Sequence, residues 1–327
     1  MQELPYDLTI ATVCRNALSL LPRCIASVQP VYQSGLRVEH LLVDGASTDG
    51  SAEYLWCQQQ SGRITRYISE PDSGLYHAMN KAIYLSRGRV VLFINADDEL
   101  CPDAVAACCT PILNGSAAYV VASALCVCGR KIRIIRPRRE MTLWRQPYCH
   151  QSMFCSRDLL VRMGGFAADK FPIGADTDLM RRLYVEEVPC VVLSVIAARF
   201  HMGGISSTSA IYRDVYELIL KFENACCAEI RKSPSVACKV VKYLRRYANK
   251  KIMLEHPPVL QGGDAYRIAH FVRGVGDALS PLRRLLLKMQ VYIQRIWYFV
   301  LCLCSTGRKR MSAGLNYKIC ELITQNL

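Results

Sequence analysis

The chain has 327 residues, 51% of them hydrophobic and 21% charged. That is enough for one large α/β domain plus an accessory region, and too apolar for a disordered protein. Its 17 cysteines are odd in number and form no CxxC pair. In a chain of this length they exclude a small disulfide scaffold and read as reduced core residues of a cytosolic protein.

The net charge of +14 is unevenly placed, because from Ser206 onward 20 cationic residues face 8 acidic ones while the first 205 residues are close to neutral. This predicts two regions with different jobs, 1–205 and 206–327. Met1–Tyr6 lacks the basic and apolar segments of a signal peptide. The most apolar window, Ile296–Cys304, is nine residues long, against the roughly 20 that a membrane span needs. Nucleic acid is not an expected partner, since no recognition motif accompanies the charge.

In chain order, Asp7–Val13 has the pattern of a buried strand, and the apolar spacing of Leu18–Val28 predicts a helix. Val38–Val43 is a second strand, running into Asp44 and Gly45. Ser51–Gln60 follows as a helix capped by Asp49 or Ser51. Arg66–Ser69 is a short strand, Glu70–Gly74 an acidic turn, Leu75–Ser86 a helix and Arg89–Asn95 a strand that ends in Asp97, Asp98 and Glu99. The alternation β-α-β-α-β-α-β implies a mostly parallel sheet with helices on both faces, and in such sheets ligands sit beyond the carboxyl ends of the strands. Thr12 and Asn16, then Asp44, then Asp72, then Asp97 and Asp98 are all delivered to that one edge.

Adjacent carboxylates at a strand's end suit a hard cation such as Mg²⁺ or Mn²⁺ carrying a substrate's phosphates. The plain alternative is a solvated acidic turn. Neither GxGxxG nor GxxxxGK[ST] occurs, so a dinucleotide-binding or P-loop reading lacks its phosphate cradle.

Taken together, TIATVCRN, LLVDGASTDGS, ISEPDSGLYHAMNKAI and GRVVLFINADD, in this order and spacing, resemble the nucleotide-binding half of family 2 glycosyltransferases. More narrowly, they resemble the bacterial enzymes that build exopolysaccharide, O-antigen and colanic-acid repeat units. The resemblance covers roughly residues 7–205 and implies a GT-A fold. It also implies that Thr12 and Asp44 contact the nucleobase and ribose of a nucleotide-sugar, that Asp72 and Asn16 lie close to it, and that Asp97 and Asp98 bind the metal, with Asp98 the more direct ligand. Many relatives begin this acidic motif with a third Asp, where this chain has Asn95.

Asp103–Leu113 is expected to be helical and Ala117–Cys128 to be a strand. Arg130–Arg139 carries six cations in ten residues and reads either as a solvated hairpin or as a contact for a phosphate-bearing acceptor or an anionic membrane surface. In Tyr148–Arg182, the HQSMF, GGF and later Asp resemble the acceptor-side half of the same enzymes. An inverting transfer needs a carboxylate to take the acceptor's hydroxyl proton, and the resemblance implies Asp176 for that base. The alternative is that Asp176 or Thr177 caps a helix over Asp178–Val185. His150 is a candidate donor-site residue or a core histidine, and His201 a candidate near the metal or diphosphate.

The basic region reads as helices over Ile211–Ala225, Val236–Tyr247 and Pro281–Cys304. These either pack on the catalytic domain or, for the last, lie in a membrane interface with Trp297, Tyr298 and Phe299 inward. The whole then implies a metal-dependent, inverting glycosyltransferase on the cytoplasmic face of the inner membrane. Its donor would be a nucleoside diphosphate sugar and its acceptor an undecaprenyl diphosphate-linked oligosaccharide. The rivals are a nucleotidyltransferase and a non-catalytic nucleotide-sugar-binding or membrane-scaffold protein.

Overall fold

The computed structural model describes residues 5–138, 146–204, 214, 217–218, 221–232, 240, 262–304 and 308–327. The chain falls into two compact units, 1–208 and 209–327.

The first unit is built on one nine-stranded sheet. Strands β1 (Tyr6–Cys14), β2 (Val38–Asp44), β3 (Arg66–Ser69) and β4 (Gly88–Phe93) are parallel neighbours in the order β3-β2-β1-β4. Helices α1 (Leu21–Val28), α2 (Ser51–Gln60) and α3 (Leu75–Leu85) make the crossovers. β1 and β2 are almost wholly buried along their length, the sign of a parallel sheet covered on both faces.

Beyond β4 the sheet becomes mixed. β5 (Glu99–Leu100) and α4 (Val105–Leu113) lead to β6 (Tyr119–Cys128) and β7 (Lys131–Ile135), an antiparallel pair. β8 (Met153–Ser156) inserts antiparallel between β4 and β6 and is followed by α5 (Arg157–Arg162) and α6 (Ala175–Val185). β9 (Cys190–His201) runs parallel to β6 and antiparallel to β5. The carboxyl ends of β1, β2, β4, β6 and β9 therefore share one edge. Leu8, Ile10, Val90, Leu92, Val120, Phe154 and Ala198 form the main core with α1 and α4.

The expected elements are present with shifted ends. The helix expected from Leu18 begins at Leu21, because residues 16–18 are held as a loop: Asn16 takes a left-handed backbone (φ 51°) and the Leu18 amide donates to Asp49. Neither Asp49 nor Ser51 is the N-cap of α2. Gly50 is (φ 92°), with the Asp49 carboxylate taking the Ser51 N–H. The Lys131–Ile135 part of the basic run pairs with β6 and is exposed on both faces, as a solvated hairpin is; Arg139 lies outside the described residues. The cysteines among the described residues are free thiols, though Cys57, Cys128 and Cys304 are exposed rather than in the core.

In the second unit, α7 (Glu223–Lys232), α8 (Gly262–Ala278), α9 (Pro281–Cys304) and α10 (Arg308–Asn326) are described. Of the helix expected at Val236–Tyr247 only Val240 is described, and of Ile211–Ala225 only residues 214, 217–218 and 221–225 are. Gly274 lets α8 approach α7, since a Cβ there would stand 2.5 Å from the Glu223 carboxylate. Among the described residues no helix is long and apolar enough to cross a membrane.

Candidate active site

Two loops make one rim of the shared edge. The Asn16 backbone N–H donates to Ser47 Oγ (2.7 Å), and Asn16 Oδ1 accepts from the Thr48 amide (2.9 Å). The loop after β1 is thereby pinned to the loop after β2, and Asn16 stays exposed.

Asp44 is wholly buried between them. Its carboxylate accepts from Ser69 Oγ (2.6 Å), the Ser47 amide (3.0 Å), Ser47 Oγ and the Cys14 thiol (3.6 Å). One anion thus ties together the ends of three strands. Asp72 crosses over Gly45, where an added Cβ would stand 2.5 Å from its carboxylate, and it accepts the Gly74 amide at 2.9 Å. Asp72 is left half-exposed.

Thr12 corrects an expectation. It is fully buried on β1, with Oγ1 3.2 Å from His40 Nε2 and 3.8 Å from the Cys24 sulfur. It shares the strand face of Leu8 and Ile10, which packs on α1, so its side chain points into the core rather than to the shared edge.

At the end of β4 the two carboxylates part company. Asp98 is fully buried, and its oxygens accept from Gln151 Nε2 (2.7 Å) and from the His201 amide (2.8 Å). Burial first, and the neighbouring Asp97 charge second, push its carboxyl up to about 8, against these two bonds. Asp97 is the half-exposed member. Its carbonyl accepts from Arg23 Nη2 (2.6 Å), and its carboxylate lies so near Gly204 that a Cβ there would come within 2.9 Å. Asp98 therefore faces inward and Asp97 outward, because Gln151 and a strand returning about 100 residues later hold Asp98. His201 is likewise engaged, with Nε2 2.8 Å from Glu99 Oε1, and Arg23 Nε stands 3.6 Å from the same oxygen.

No group of three or more His, Cys, Asp or Glu that could hold a metal ion exists among the described residues. The outward Asp97 with Asp98 behind it fits a hard cation completed by phosphate oxygens rather than one caged by protein alone.

The remaining candidate residues, His150 and Asp176, come from elsewhere in the chain. His150 stacks on Phe93 (centroids 5.7 Å apart, planes at 26°) and meets the edge of Phe166 at 5.9 Å. Burial lowers its pKa, and the Asp176 charge opposes that shift. His150 Nε2 is buried without a hydrogen-bond partner among the described residues.

Asp176 lies in the first turn of α6 behind N-cap Gly174, so it is not itself the cap. It accepts from Gln146 Nε2 (2.9 Å) and the Thr177 amide (2.6 Å) and is part-exposed. Asp178, also in that turn, is wholly buried and binds Arg182 (2.7 Å), which donates onward to the Gly165 carbonyl (2.6 Å). Of the two, only Asp176 opens outward.

Several residues were not singled out from the sequence. Gln151 sits in the HQSMF string, where attention fell on His150. Tyr76 and Asn80 lie in EPDSGLYHAMNKA: Tyr76 Oη donates to the Ile173 carbonyl (2.8 Å), and Asn80 clasps Phe166. The string is thus a strut that fixes the segment from Phe166 to Ile173 leading into α6.

A sheet in the order β3-β2-β1-β4 with acidic turns at its carboxyl edge, extended by an antiparallel acceptor half, is the GT-A arrangement of a glycosyltransferase. The family model for glycosyl transferase family 2 matches residues 9–172, and the chain belongs to that family.

Among curated proteins, an uncharacterized glycosyltransferase of Mycobacterium tuberculosis is 29% identical over 220 residues, covering 63% of this chain and 80% of the relative. A PGL/p-HBAD biosynthesis glycosyltransferase of Mycobacterium bovis is 27% identical over 211 residues, covering 62% and 79%. Among solved structures, S. aureus TarS in complex with UDP-GlcNAc superposes with a TM-score of 0.63 at 15% identity, covering 98% of this chain and 92% of that one. That last likeness is one of fold.

Proposed function

We propose that this protein transfers one sugar, with inversion, from a nucleoside diphosphate sugar to a hydroxyl of a lipid-linked oligosaccharide. The observation that carries the reading is the contrast in exposure at the shared edge: Asp72, Asp97 and Asp176 open outward while Asp44, Asp98 and Asp178 are buried and hydrogen-bonded. Asp72 and Asp176 accept local amides, and Asp176 also takes Gln146. The ties between strand ends are carried by the buried Asp44 and Asp98, and the outward three are left facing the shared edge.

Asn16, Ser47 and Asp72 rim the place for the nucleotide, with Asp44 holding the loops rather than touching the ligand. Asp97 faces the diphosphate, and Asp98 fixes Asp97 through its bonds to Gln151 and His201. A Mn²⁺ or Mg²⁺ ion held by Asp97 and the diphosphate would neutralise charge on the leaving group. Asp176 accepts the proton of the attacking hydroxyl, oriented by Gln146 and the Thr177 amide. His150, walled by Phe93 and Phe166, offers Nε2 as a donor or acceptor beside it. The displacement is direct, so no covalent nucleophile is needed.

The fold neighbour's UDP-GlcNAc supports a nucleotide-sugar donor. An undecaprenyl diphosphate carrier, and work on surface polysaccharide at the cytoplasmic face of the inner membrane, extend the reading. The test is nucleoside diphosphate release from a panel of UDP-, GDP- and dTDP-sugars with Mn²⁺, Mg²⁺ or EDTA. Metal-dependent release from one donor class is expected. Failure of every donor to bind would overturn the reading.

A further inference from the structure

Helix α9 presents its apolar side to solvent rather than to its neighbours. At 3.6 residues per turn, Leu282, Leu286, Met289, Ile293, Ile296 and Val300 fall on one strip, with Leu286 57%, Ile293 64% and Ile296 50% exposed. Trp297, 58% exposed, borders the strip. Leu287 and Val291, on the opposite side, are the buried pair that seats the helix. Arg295 completes the seat: it donates to Tyr317 Oη (2.7 Å) and Glu321 (3.1 Å) on α10 and lies 4.7 Å over the Tyr317 ring. Tyr298, expected to face a bilayer, is on the seated side instead.

An exposed apolar strip this long is not a solvent face. Monomeric soluble surfaces rarely carry contiguous apolar patches beyond a few hundred Å², and this one runs for about 30 Å at 1.5 Å per residue. Charge then selects its occupant. The helix carries Arg283, Arg284, Lys288 and Arg295 and no acidic residue. Lys288 flanks the strip on one side and Arg283 on the other, while Arg284, its Nε buried, falls on the seated side. A second copy docked through the same face would bring the flanking cations against each other, whereas an anionic headgroup layer would neutralise them. The helix is too interrupted by cations to cross a bilayer; a strip of aliphatic and aromatic side chains edged by Arg and Lys suits one lying in the plane of the interface.

We propose that α9 is a membrane-interface helix that binds an anionic phospholipid surface through the Leu282–Val300 strip, with Lys288 among the headgroups. This deepens the reading of a lipid-linked acceptor by naming the element that brings the enzyme to it. It is measured without turnover, so its failure is distinct from failure of the transferase reading.

The test uses the full chain with extruded vesicles of phosphatidylcholine alone or mixed with phosphatidylglycerol. In a Trp56→Phe/Trp144→Phe background, Trp297 emission should shift to the blue on mixed vesicles and be quenched by brominated lipid. Ile293→Glu with Val300→Glu, both on the exposed strip, should keep the helical circular dichroism and donor binding while losing about tenfold or more in vesicle partition. Lys288→Gln should reduce partition only on phosphatidylglycerol-containing vesicles. The proposal is overturned if the wild-type chain ignores both vesicle types, or if the double Glu variant partitions unchanged. It is equally overturned if sedimentation shows a wild-type dimer that the double Glu variant dissolves while vesicles are ignored; a second copy then covers the strip.

Discussion

Asn80 and Phe166 hold each other by two reciprocal hydrogen bonds. The Asn80 side-chain amide donates to the Phe166 carbonyl, and the Phe166 amide donates to Asn80 Oδ1, both at 2.8 Å. A single side chain on α3 thus replaces a strand's worth of pairing for the turn that carries Phe166 to His150. Asn80→Ala removes both bonds and leaves two backbone groups without partners. Loss of about 1–3 kcal/mol is expected, read as a lower midpoint in urea with an unchanged slope. Gly165→Ala should be at least as harmful, since its Cβ would fall 2.4 Å from Asn80 Oδ1 and its φ is +64°.

Asp176→Asn preserves size and the Gln146 contact geometry but cannot accept a proton. Transfer should fall by about 10²–10⁴ with donor affinity unchanged by calorimetry. Retained transfer would remove Asp176 from the base's role.

Asp97 and Asp98 should separate by readout. Asp97→Asn should weaken metal dependence and donor turnover while leaving the thermal midpoint nearly unmoved, because the side chain is half-exposed. Asp98→Ala should unpair Gln151 Nε2 and the His201 amide and cost about 1–3 kcal/mol per orphaned group. A thermal melt of the two variants side by side decides it; equal melting would contradict the division of labour.

His40 gives the pH prediction. It is buried on β2 with Nε2 near Thr12, and burial draws its pKa down from 6.5 to about 3. Between those values the unfolded chain binds a proton that the folded chain refuses. Stability contributed by this group is therefore full above about pH 6.5 and declines as pH falls towards 3, at up to about 1.4 kcal/mol per pH unit. His40→Gln should flatten the acid limb of a stability–pH curve measured by urea denaturation. An unchanged limb would show that His40 is not the group responsible.

Period and punctuation made much of the fold legible. α2, β3 and α9 have the ends that spacing alone predicts, because Gly, Pro and Ser flank them and no distant contact competes. The start of α1 was not legible: residues 16–18 bond to Ser47 and Asp49, some 30 positions away, and those bonds outbid local helix formation. The candidate site was legible as a set of carboxylates at strand ends but not as an ordering of them. Which of Asp97 and Asp98 turns inward is decided by Gln151 and His201, and which of Asp176 and Asp178 by Arg182. The roles of Tyr76 and Asn80 were hidden for a related reason: on a helix they look like ordinary face residues until the segment they brace is in place.

The bond from the His201 amide to the Asp98 carboxylate spans 103 positions of chain, and that span orders events during synthesis. β1 through β4 can pair as soon as residue 93 has emerged, yet Asp98 waits for β9 before its buried carboxyl has a backbone donor. At roughly 5–20 residues per second the delay is on the order of 5–20 s. Throughout it, the nascent chain holds a nearly complete parallel core with an unclamped acidic turn. A polypeptide stopped at residue 172, where the family match ends, would be held in that interval permanently.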